Sequence, residues 1–477
     1  MPTTYETIIG LEIHVQMNTK TKLFCTCDND SFNKEPNTNV CEVCMGFPGT
    51  LPVTNKEAIE KGIISGLALN CTIPSTCKFD RKHYFYPDLP KGFQITQYDE
   101  PIAINGHIEI TIDSKKKIIG IERLHLEDDA GKLIHANSGT LVDYNRSGTP
   151  LMEIVSKPDL RSKEEASAYA RSVQQIMRFV GSSDADMEKG MMRFDLNISL
   201  RPVGSEKLGN KVEVKNLNSF RSLEKAITFE IERQTKMLEE NDTIKKETRG
   251  WDAEKEISES QRSKEEAADY RYFPEPDIPP IHIDSAWSED LKNKIPELPQ
   301  AKQDRYRKVY AIDADHARII SEEFDLADFF EEMMDYTNAH FTATNLLVTD
   351  LLGMLNKEHQ SITDTKIKPK QLAELANAIN DNVLSTKMAK EVLPVMFETG
   401  KDPSTIIEEK GLKQVSDKHE LEQICKKAIE AMPKAAEDIR NGNDKAIGAL
   451  VGFVMKETKG QANPGKVNQI LLSLLRH

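Results

Sequence analysis

The amino-acid sequence predicts an α+β protein in three parts: a mixed or antiparallel sheet domain at residues 1–293, an all-helical domain at 294–405 and a small helical tail domain at 406–477. In the first part, apolar and polar residues alternate in several segments, which is the period of a strand with one buried face. From about Glu297 onwards the chain is rich in Lys, Glu and Ala at helical spacing. A break near residues 400–403 indicates the last boundary.

Length and composition indicate a globular protein of several domains. The chain has 477 residues, 38% of them hydrophobic and 29% charged, which is too long for one ordinary core and typical of globular proteins. No apolar run approaches the roughly 18 residues of a membrane-spanning helix, and the first residues lack the pattern of a signal peptide. We therefore expect a cytoplasmic protein without membrane contact. The net charge of -14 means that any contact with nucleic acid must be local.

The first strand is predicted at residues 8–18, where every second residue is apolar. The opposite face carries Glu12 and His14, which are about 7 Å apart along a strand that rises ~3.3 Å per residue. A carboxylate beside an imidazole suits a divalent metal ion. The alternative at this point is an ordinary solvated face.

Four cysteines follow this strand in two pairs, and the segment between the pairs is polar. A CxC pair and a CxxC pair in a cytoplasmic chain fit a closed, structural zinc site. Redox chemistry and chance clustering remain as alternatives, and the CxC spacing departs from the more usual CxxC. The predicted ligands are Cys25, Cys27, Cys41 and Cys44.

Four later segments also carry polar side chains in a strand pattern. Glu127 follows alternating residues, and Glu153 interrupts an apolar run. Asp195 lies in a strictly alternating segment, and Lys215 lies in a later segment with the same alternation. A carboxylate in a strand that is apolar on both faces is costly unless it is paired with a cation or a metal. A sheet that gathers these faces would form a polar cleft suited to Mg²⁺; the alternative is a half-solvated antiparallel sheet.

Helices and irregular segments separate these strands. Helices are predicted at 55–70, from the capping box of Ser162 to about Val180, and from Asn218 or Ser219 to about Leu238. Residues 239–267 are polar and predicted to be rich in loops, and the prolines of 269–280 predict an extended return of the chain. Helices are also predicted at 319–337, 344–357, 369–379 and 386–400.

Residues 78–91 mix cations with aromatic rings, which is a combination that can hold a base on a ring and a phosphate on a cation. The alternative is an aromatic strand edge packed on the core. No P-loop, dinucleotide-binding or GxSxG motif is present, nor a Gly/Ser-rich amidase signature. Any ATP would therefore be held through metal on the acidic strands.

Together these motifs resemble the B subunits of the tRNA-dependent amidotransferases, which convert Asp-tRNA(Asn) or Glu-tRNA(Gln) to the amide. The resemblance runs nearly from end to end and is least distinctive at about 300–440. The matching segments are GLEIH at 10–14, KFDRKHYFYPD at 78–88, LEDDAGK at 126–132, NRSGTPLMEIV at 145–155, RFDLNIS at 193–199, VKNLNSF at 214–220, DYRYFPEPD at 269–277 and KGQANP at 459–464.

The resemblance implies a sheet cradle related in shape to glutamine synthetase, followed by a helical domain and a tail domain that contact tRNA. It implies that the side-chain carboxylate of a misacylated tRNA attacks ATP to form an acyl phosphate, which ammonia then converts to the amide. The ammonia would come from a separate glutaminase A subunit in a complex that also holds a small C subunit. ATP, Mg²⁺ and a structural Zn²⁺ are the implied cofactors.

We assign site residues by role on this basis. The predicted divalent-metal and catalytic residues are Glu12, His14, Glu127, Glu153 and Asp195. The predicted ligands of phosphate or of the substrate carboxylate are Arg81, Lys82, Arg123, Arg193 and Lys215. The predicted tRNA-binding residues are Lys456, Lys459 and Lys466, although a solvated helical face is a plain alternative. Two rival hypotheses are a non-catalytic RNA-binding adaptor and a free-standing ATP-dependent carboxylate–amine ligase.

Overall fold

A computed structural model describes residues 4–113, 115–136, 139–263, 270–412, 418–440, 446–458 and 462–476. The chain divides into two compact units, Met1–Leu298 and Pro299–His477. Within the described ranges, no helix is both long enough and apolar enough to cross a membrane.

The first unit is built on strands that are numbered here in chain order. They are β1 (Tyr5–Gln16), β2 (Thr76–Cys77), β3 (Asp80–His83), β4 (Phe93–Thr96), β5 (Ala103–Ile112), β6 (Lys115–Asp128), β7 (Lys132–Ala136), β8 (Gly139–Asp143), β9 (Pro150–Ser156), β10 (Met192–Pro202), β11 (Val212–Leu217), β12 (Glu247–Asp252), β13 (Ile257–Ser263), β14 (Phe273–Pro274) and β15 (Ile281–His282).

One large sheet contains most of these strands in the order β13-β12-β11-β10-β1-β9-β6-β4-β3-β14, and β5 pairs with β6 outside this path. The neighbours around β1 are antiparallel, and β11 and β12 form a parallel pair. Two small sheets, β15-β2 and the β7-β8 hairpin, lie outside it. The mixed, largely antiparallel sheet agrees with the predicted fold class at this coarse level.

Three helices pack on the apolar face of the sheet: α1 (Lys56–Ala68), α2 (Lys163–Phe179) and α3 (Phe220–Glu239). Ile9, Leu11 and Ile13 of β1 are fully buried in the resulting core. Each helix begins after a side chain that caps it, as the sequence predicts: Asn55 for α1, Ser162 for α2 and Ser219 for α3. Since the apolar residues of β1 face these helices, its polar residues lie on the opposite face.

The prediction that residues 239–267 are rich in loops is wrong for residues 247–252 and 257–263, which form β12 and β13. Residues 264–267 lie outside the described residues. The inward positions of the two strands are not filled by apolar residues alone. Arg249 of β12 lies 3.3 Å from Glu230 of α3, whose side chain is fully buried. Because this contact is made by charged residues, the strand lacks the alternation of apolar and polar residues by which a strand is predicted.

Within the described ranges, the further α-helices are α4 (Ser285–Lys292), α5 (Pro299–Tyr310), α6 (Ala314–Ile320), α7 (Phe324–Met334), α8 (His340–Asn345), α9 (Leu352–Lys357), α10 (Pro369–Asn380), α11 (Thr386–Thr399), α12 (Pro403–Lys410), α13 (Lys418–Ala431), α14 (Pro433–Arg440), α15 (Ile447–Glu457) and α16 (Pro464–Arg476).

The second unit is helical and contains two hydrophobic clusters, one formed by residues between 306 and 407 and one by residues between 421 and 475. The single helix predicted at 319–337 is two helices, because α6 ends with Ser321 as its C-cap and α7 begins at Phe324. A π-helical turn at Leu346–Leu351 joins α8 to α9.

Candidate active site

The strand register places the predicted acidic residues side by side on the polar face of the sheet. On β1, His14 pairs with Arg193 of β10 and with Glu153 of β9, and Glu12 pairs with Asp195. Residues paired in this way across antiparallel strands point to the same face of a sheet. The five predicted metal ligands therefore share one surface, but they form two groups and not one.

The first group consists of His14, Glu127 and Glu153, whose potential ligand atoms all lie within 4.8 Å of one another. Oε2 of Glu153 lies 3.3 Å from Nε2 of His14 and 3.1 Å from Nε2 of His125. Glu127 accepts a hydrogen bond of 3.3 Å from the hydroxyl of Thr96. All of these side chains are buried, so the group is a set of oxygen and nitrogen donors held away from bulk water.

Burial and mutual charge shift the pKa values in this group. Burial alone would raise the pKa of Glu153, but the imidazoles of His125 and His14 hold it well below its usual range. Burial alone would lower the pKa of His125, but the charge of Glu153 and contact with Glu127 raise it to about 9. The carboxylates are thus kept ionised, which is the state that a metal ion requires.

The second group consists of Glu12, Asp195 and Glu213. Lys215 already supplies a cation here, because its Nζ lies 2.7 Å from Asp195 and 3.0 Å from Glu213. Glu12 accepts a hydrogen bond of 2.8 Å from Asn197. Burial and the charge of Glu153 raise the pKa of Glu12.

A polar cavity of about 250 Å³ opens beside these groups. Its lining includes His14, Glu127 and Asp195 together with the cations Lys82, Arg193 and Lys215. Lys82 differs from the other two cations, because no carboxylate in the described part of the chain forms an ion pair with it. Its Nζ lies 5.1 Å from the ring centre of Tyr270 and 5.8 Å from that of Tyr84.

Arg193 is held by Asp129, whose Oδ1 lies 3.4 Å from its Nη2. Burial alone would raise the pKa of Asp129, but the guanidinium groups of Arg146 and Arg193 lower it to about 2. This ion pair directs Arg193 along the same face as His14.

Arg81 and Arg123 are not brought to this cavity. Arg81 is adjacent to Lys82 in a strand and so points to the other face, where it forms two hydrogen bonds of 2.7 and 2.8 Å with the carboxylate of Glu275. Arg123 contacts its exposed neighbour Glu122 at 2.7 Å. Both cations therefore have partners outside the acidic groups.

The four predicted cysteine ligands lie together in the loop after β1. The sulfur atoms of Cys25, Cys27, Cys41 and Cys44 all lie within 4.8 Å of one another. The pKa of Cys44 is lowered to about 5, first by a hydrogen bond from Cys25 and also by the charge of Lys22. Four converging thiol groups match the donor set of a structural zinc site.

Known proteins match the chain over nearly its whole length. Residues 7–289 match the sequence profile of the GatB/GatE catalytic domain, and residues 328–475 match that of the GatB domain. The chain is 49% identical over 468 residues to the B subunit of the aspartyl/glutamyl-tRNA(Asn/Gln) amidotransferase of Thermoanaerobacter pseudethanolicus, covering 98% of both chains.

The chain belongs to the B-subunit family of these amidotransferases. Other members are similarly close: it is 50% identical over 473 residues to the B subunit of Persephonella marina (99% of this chain, 100% of that one), and 47% identical over 477 residues to that of Thermotoga maritima (99% of each). The resemblance inferred from the sequence motifs is confirmed.

Three polar residues of the site were not assigned a role from the sequence of this B-subunit family member. They are His125, which contacts Glu153; Glu213, which completes the second acidic group; and Asp129, which holds Arg193. Each lies beside an assigned residue in a strand or at its end. The alternation that placed Glu127 and Lys215 on the polar face applies equally to His125 and Glu213.

The predicted tRNA-binding lysines are at the surface of the second unit as far as it is described. Lys456 is exposed on α15, and Lys466 is exposed on α16. Lys459 lies outside the described residues.

We predict that replacing Arg81 with Met lowers the free energy of unfolding by about 2–3 kcal/mol, because the buried carboxylate of Glu275, only 1% exposed, loses its ion-pair partner. Urea denaturation followed by circular dichroism measures this. Arg123→Met is the matched control and should shift it by no more than about 0.5 kcal/mol, since its pair is exposed. An unchanged stability of Arg81→Met combined with weaker ATP binding would favour the phosphate-binding role instead.

Proposed function

We propose that the chain is the ATP-using subunit of a tRNA-dependent amidotransferase. It activates the side-chain carboxylate of Glu-tRNA(Gln), of Asp-tRNA(Asn) or of both, and the activated acyl group is then amidated by ammonia. The observation that carries this proposal is the close approach of His14, Glu127 and Glu153. His14 and Glu127 line one cavity with Lys82, whose ammonium has no ion-pair partner among the described residues.

The proposed reaction has two steps. A carboxylate oxygen of the aminoacyl group attacks the γ-phosphorus of ATP, and the bond from that phosphorus to the bridging oxygen breaks, giving an acyl phosphate and ADP. The nitrogen of ammonia then attacks the carbonyl carbon, the carbon–oxygen bond to phosphate breaks, and a proton leaves the nitrogen. The products are the amide, phosphate and ADP.

The residues present fit a hard divalent cation such as Mg²⁺. His14, Glu127 and Glu153 offer an imidazole and two carboxylates. The buried Nδ1 atoms of His14 and His125 have no hydrogen-bond partner among the described residues, so the site is not satisfied by those protein groups alone. When bound, Mg²⁺ neutralises charge on the transferring phosphoryl group.

The cations that line the cavity are assigned different roles. Within the described ranges Lys82 has no ion-pair partner to give up, and we assign it to the transferring phosphoryl group or to the substrate carboxylate. Arg193, held by Asp129, reaches the same cavity and is assigned to the same anions. Lys215 neutralises Asp195 and Glu213, so we assign it the role of holding the carboxylates of the second acidic group in place. Arg81 and Arg123 are left out of the proposed site.

The rest of the chain fits the same proposal. We keep as proposals the glutamine-synthetase-like plan that the resemblance implies and the parts 1–293, 294–405 and 406–477. The tail part, with Lys456, Lys459 and Lys466, would contact tRNA. A structural zinc ion would close the cysteine loop, a glutaminase A subunit would supply ammonia, and a small C subunit would complete a cytoplasmic complex.

The deciding experiment combines the chain and its glutaminase partner with ATP, Mg²⁺ and glutamine, and compares Glu-tRNA(Gln) with free glutamate. We expect the amide to form on Glu-tRNA(Gln) and not on free glutamate. Ammonium chloride should support the same reaction when glutamine and the glutaminase partner are left out. Equal amidation of free glutamate would favour the free-standing ligase. Binding of tRNA without ATP turnover would favour the adaptor; the names of the relatives favour neither rival.

A further inference from the structure

The cysteine cluster has a cationic neighbour that no part of the proposed reaction uses. Lys22, in the loop after β1, has no exposed surface. Its Nζ donates a hydrogen bond of 2.8 Å to the carbonyl oxygen of Asn39 and lies 3.8 Å from the sulfur of Cys44. A fully buried lysine side chain is rare unless its charge is paired.

No carboxylate in the described part of the chain lies within ion-pairing distance of Lys22. A buried ammonium whose acceptors are a carbonyl oxygen and an uncharged thiol is strongly destabilising, because it has lost its water without gaining a counter-charge. The four cysteine sulfurs are the nearby groups that can become anionic. The position of Lys22 is therefore accounted for if the cluster carries negative charge in the folded protein.

The surrounding chain is shaped to hold this lysine. Gly148 has a φ of +88°, and a Cβ added there would lie 3.5 Å from Cδ of Lys22 and 3.3 Å from Cβ of Cys44. The backbone N–H of Asn39 donates to Oδ1 of Asn145 at 2.8 Å, which fixes the carbonyl that Lys22 contacts. The segment 145–148, singled out in the sequence but not part of the reaction, thus encloses the lysine and the cluster together.

We propose that Lys22 is the charge-compensating partner of the cysteine metal site, so that tight zinc binding depends on its ammonium group. The inference rests on the proposed zinc site and not on the amidation reaction. When four thiols release their protons and bind one Zn²⁺, the site gains net negative charge, and a buried cation in contact with one sulfur favours that change. Groups outside the ligand shell commonly tune metal affinity in this way.

The test measures zinc affinity of the full-length chain by competition with the chromogenic chelator 4-(2-pyridylazo)resorcinol. Lys22→Met is expected to weaken zinc binding about 10- to 100-fold, and Lys22→Gln, which keeps a donor for Asn39 but loses the charge, should do the same. Lys22→Arg should retain most of the affinity. Lys20→Met, at an exposed neighbouring lysine, is the matched control and should bind zinc like the wild type.

A second measurement separates charge from packing. In the cobalt-substituted protein, loss of the nearby cation should shift the thiolate-to-cobalt charge-transfer band to lower energy, and Lys22→Arg should restore it. Wild-type affinity in Lys22→Gln, with an unshifted band, would overturn the role of Lys22 alone. A wild-type protein with no zinc and oxidised cysteines would overturn the zinc site as well. If Lys22→Met fails to fold, Lys22→Gln decides the question.

Discussion

Replacing Glu153 with Gln is expected to lower amide formation by about 100- to 1,000-fold, with the chain still folded. Glu153 lies in a strand whose residues are all buried, and its carboxylate contacts the imidazoles of both His14 and His125. Gln has nearly the same shape but carries no charge. It removes one of the two carboxylates of the proposed metal group and leaves the packing of β9 in place.

The loss should appear with free ammonia as well as with glutamine, because it affects activation of the carboxylate and not the supply of nitrogen. Binding of Mn²⁺, followed by electron paramagnetic resonance, should weaken in parallel. Glu122→Gln is the matched control, since Glu122 is exposed on the neighbouring strand β6. Full activity and unchanged Mn²⁺ binding in Glu153→Gln would remove this carboxylate from the proposed site.

The sequence could predict this face of the sheet because period-two alternation is a local property. The alternation within β1 alone predicts that Glu12 and His14 share one face, and the structure places them there. Glu153 stood out because a lone carboxylate in an apolar strand needs a partner. The family was recognisable for a similar reason: its motifs are continuous segments of chain.

What the sequence could not predict depends on contacts between distant segments. The register that separates the five predicted metal ligands into two groups is set by pairing of β1 with β9 and β10, which both lie more than a hundred residues further along the chain. The sequence motif assigns both Arg81 and Lys82 to anions, although adjacent residues of a strand face opposite ways. Arg81 forms its ion pair with Glu275, which lies 194 residues later in the chain.

Segments stabilised by buried charged residues are also difficult to predict from the sequence. Arg249 and Glu230 form an ion pair between β12 and α3, and Lys22 is fully buried at the cysteine loop. A periodicity search counts such residues as solvent-facing. Their partners become visible only after the chain has folded, and for this reason the polar core of the first unit was harder to predict than its apolar core.

Replacing Lys82 is the second change expected to have a large effect on activity. Comparing it with Lys215 tests the different roles assigned to the two lysines. Burial alone would lower the pKa of Lys82, but the charge of Glu127 raises it above its usual range, so the side chain is an ammonium ion. The described part of the chain provides no carboxylate paired with it, whereas Lys215 contacts both Asp195 and Glu213. An ammonium held between aromatic rings at the edge of an acidic cavity is suited to an anion from the substrate.

Lys82→Met is therefore expected to lower ATP-dependent activation by about 100-fold, and it should lower the free energy of unfolding less than Lys215→Met does, because no ion pair within the described ranges is lost. Lys215→Met should have the larger effect on stability, since it leaves Asp195 and Glu213 uncompensated side by side. Lys115→Met, at the exposed start of β6, is the control for the loss of a lysine charge. Acyl-phosphate formation, trapped with hydroxylamine, and urea denaturation separate the two effects. A Lys82→Met variant that forms acyl phosphate at the wild-type rate would show that the anion is held elsewhere in the cavity, with Arg193 the next cation to test.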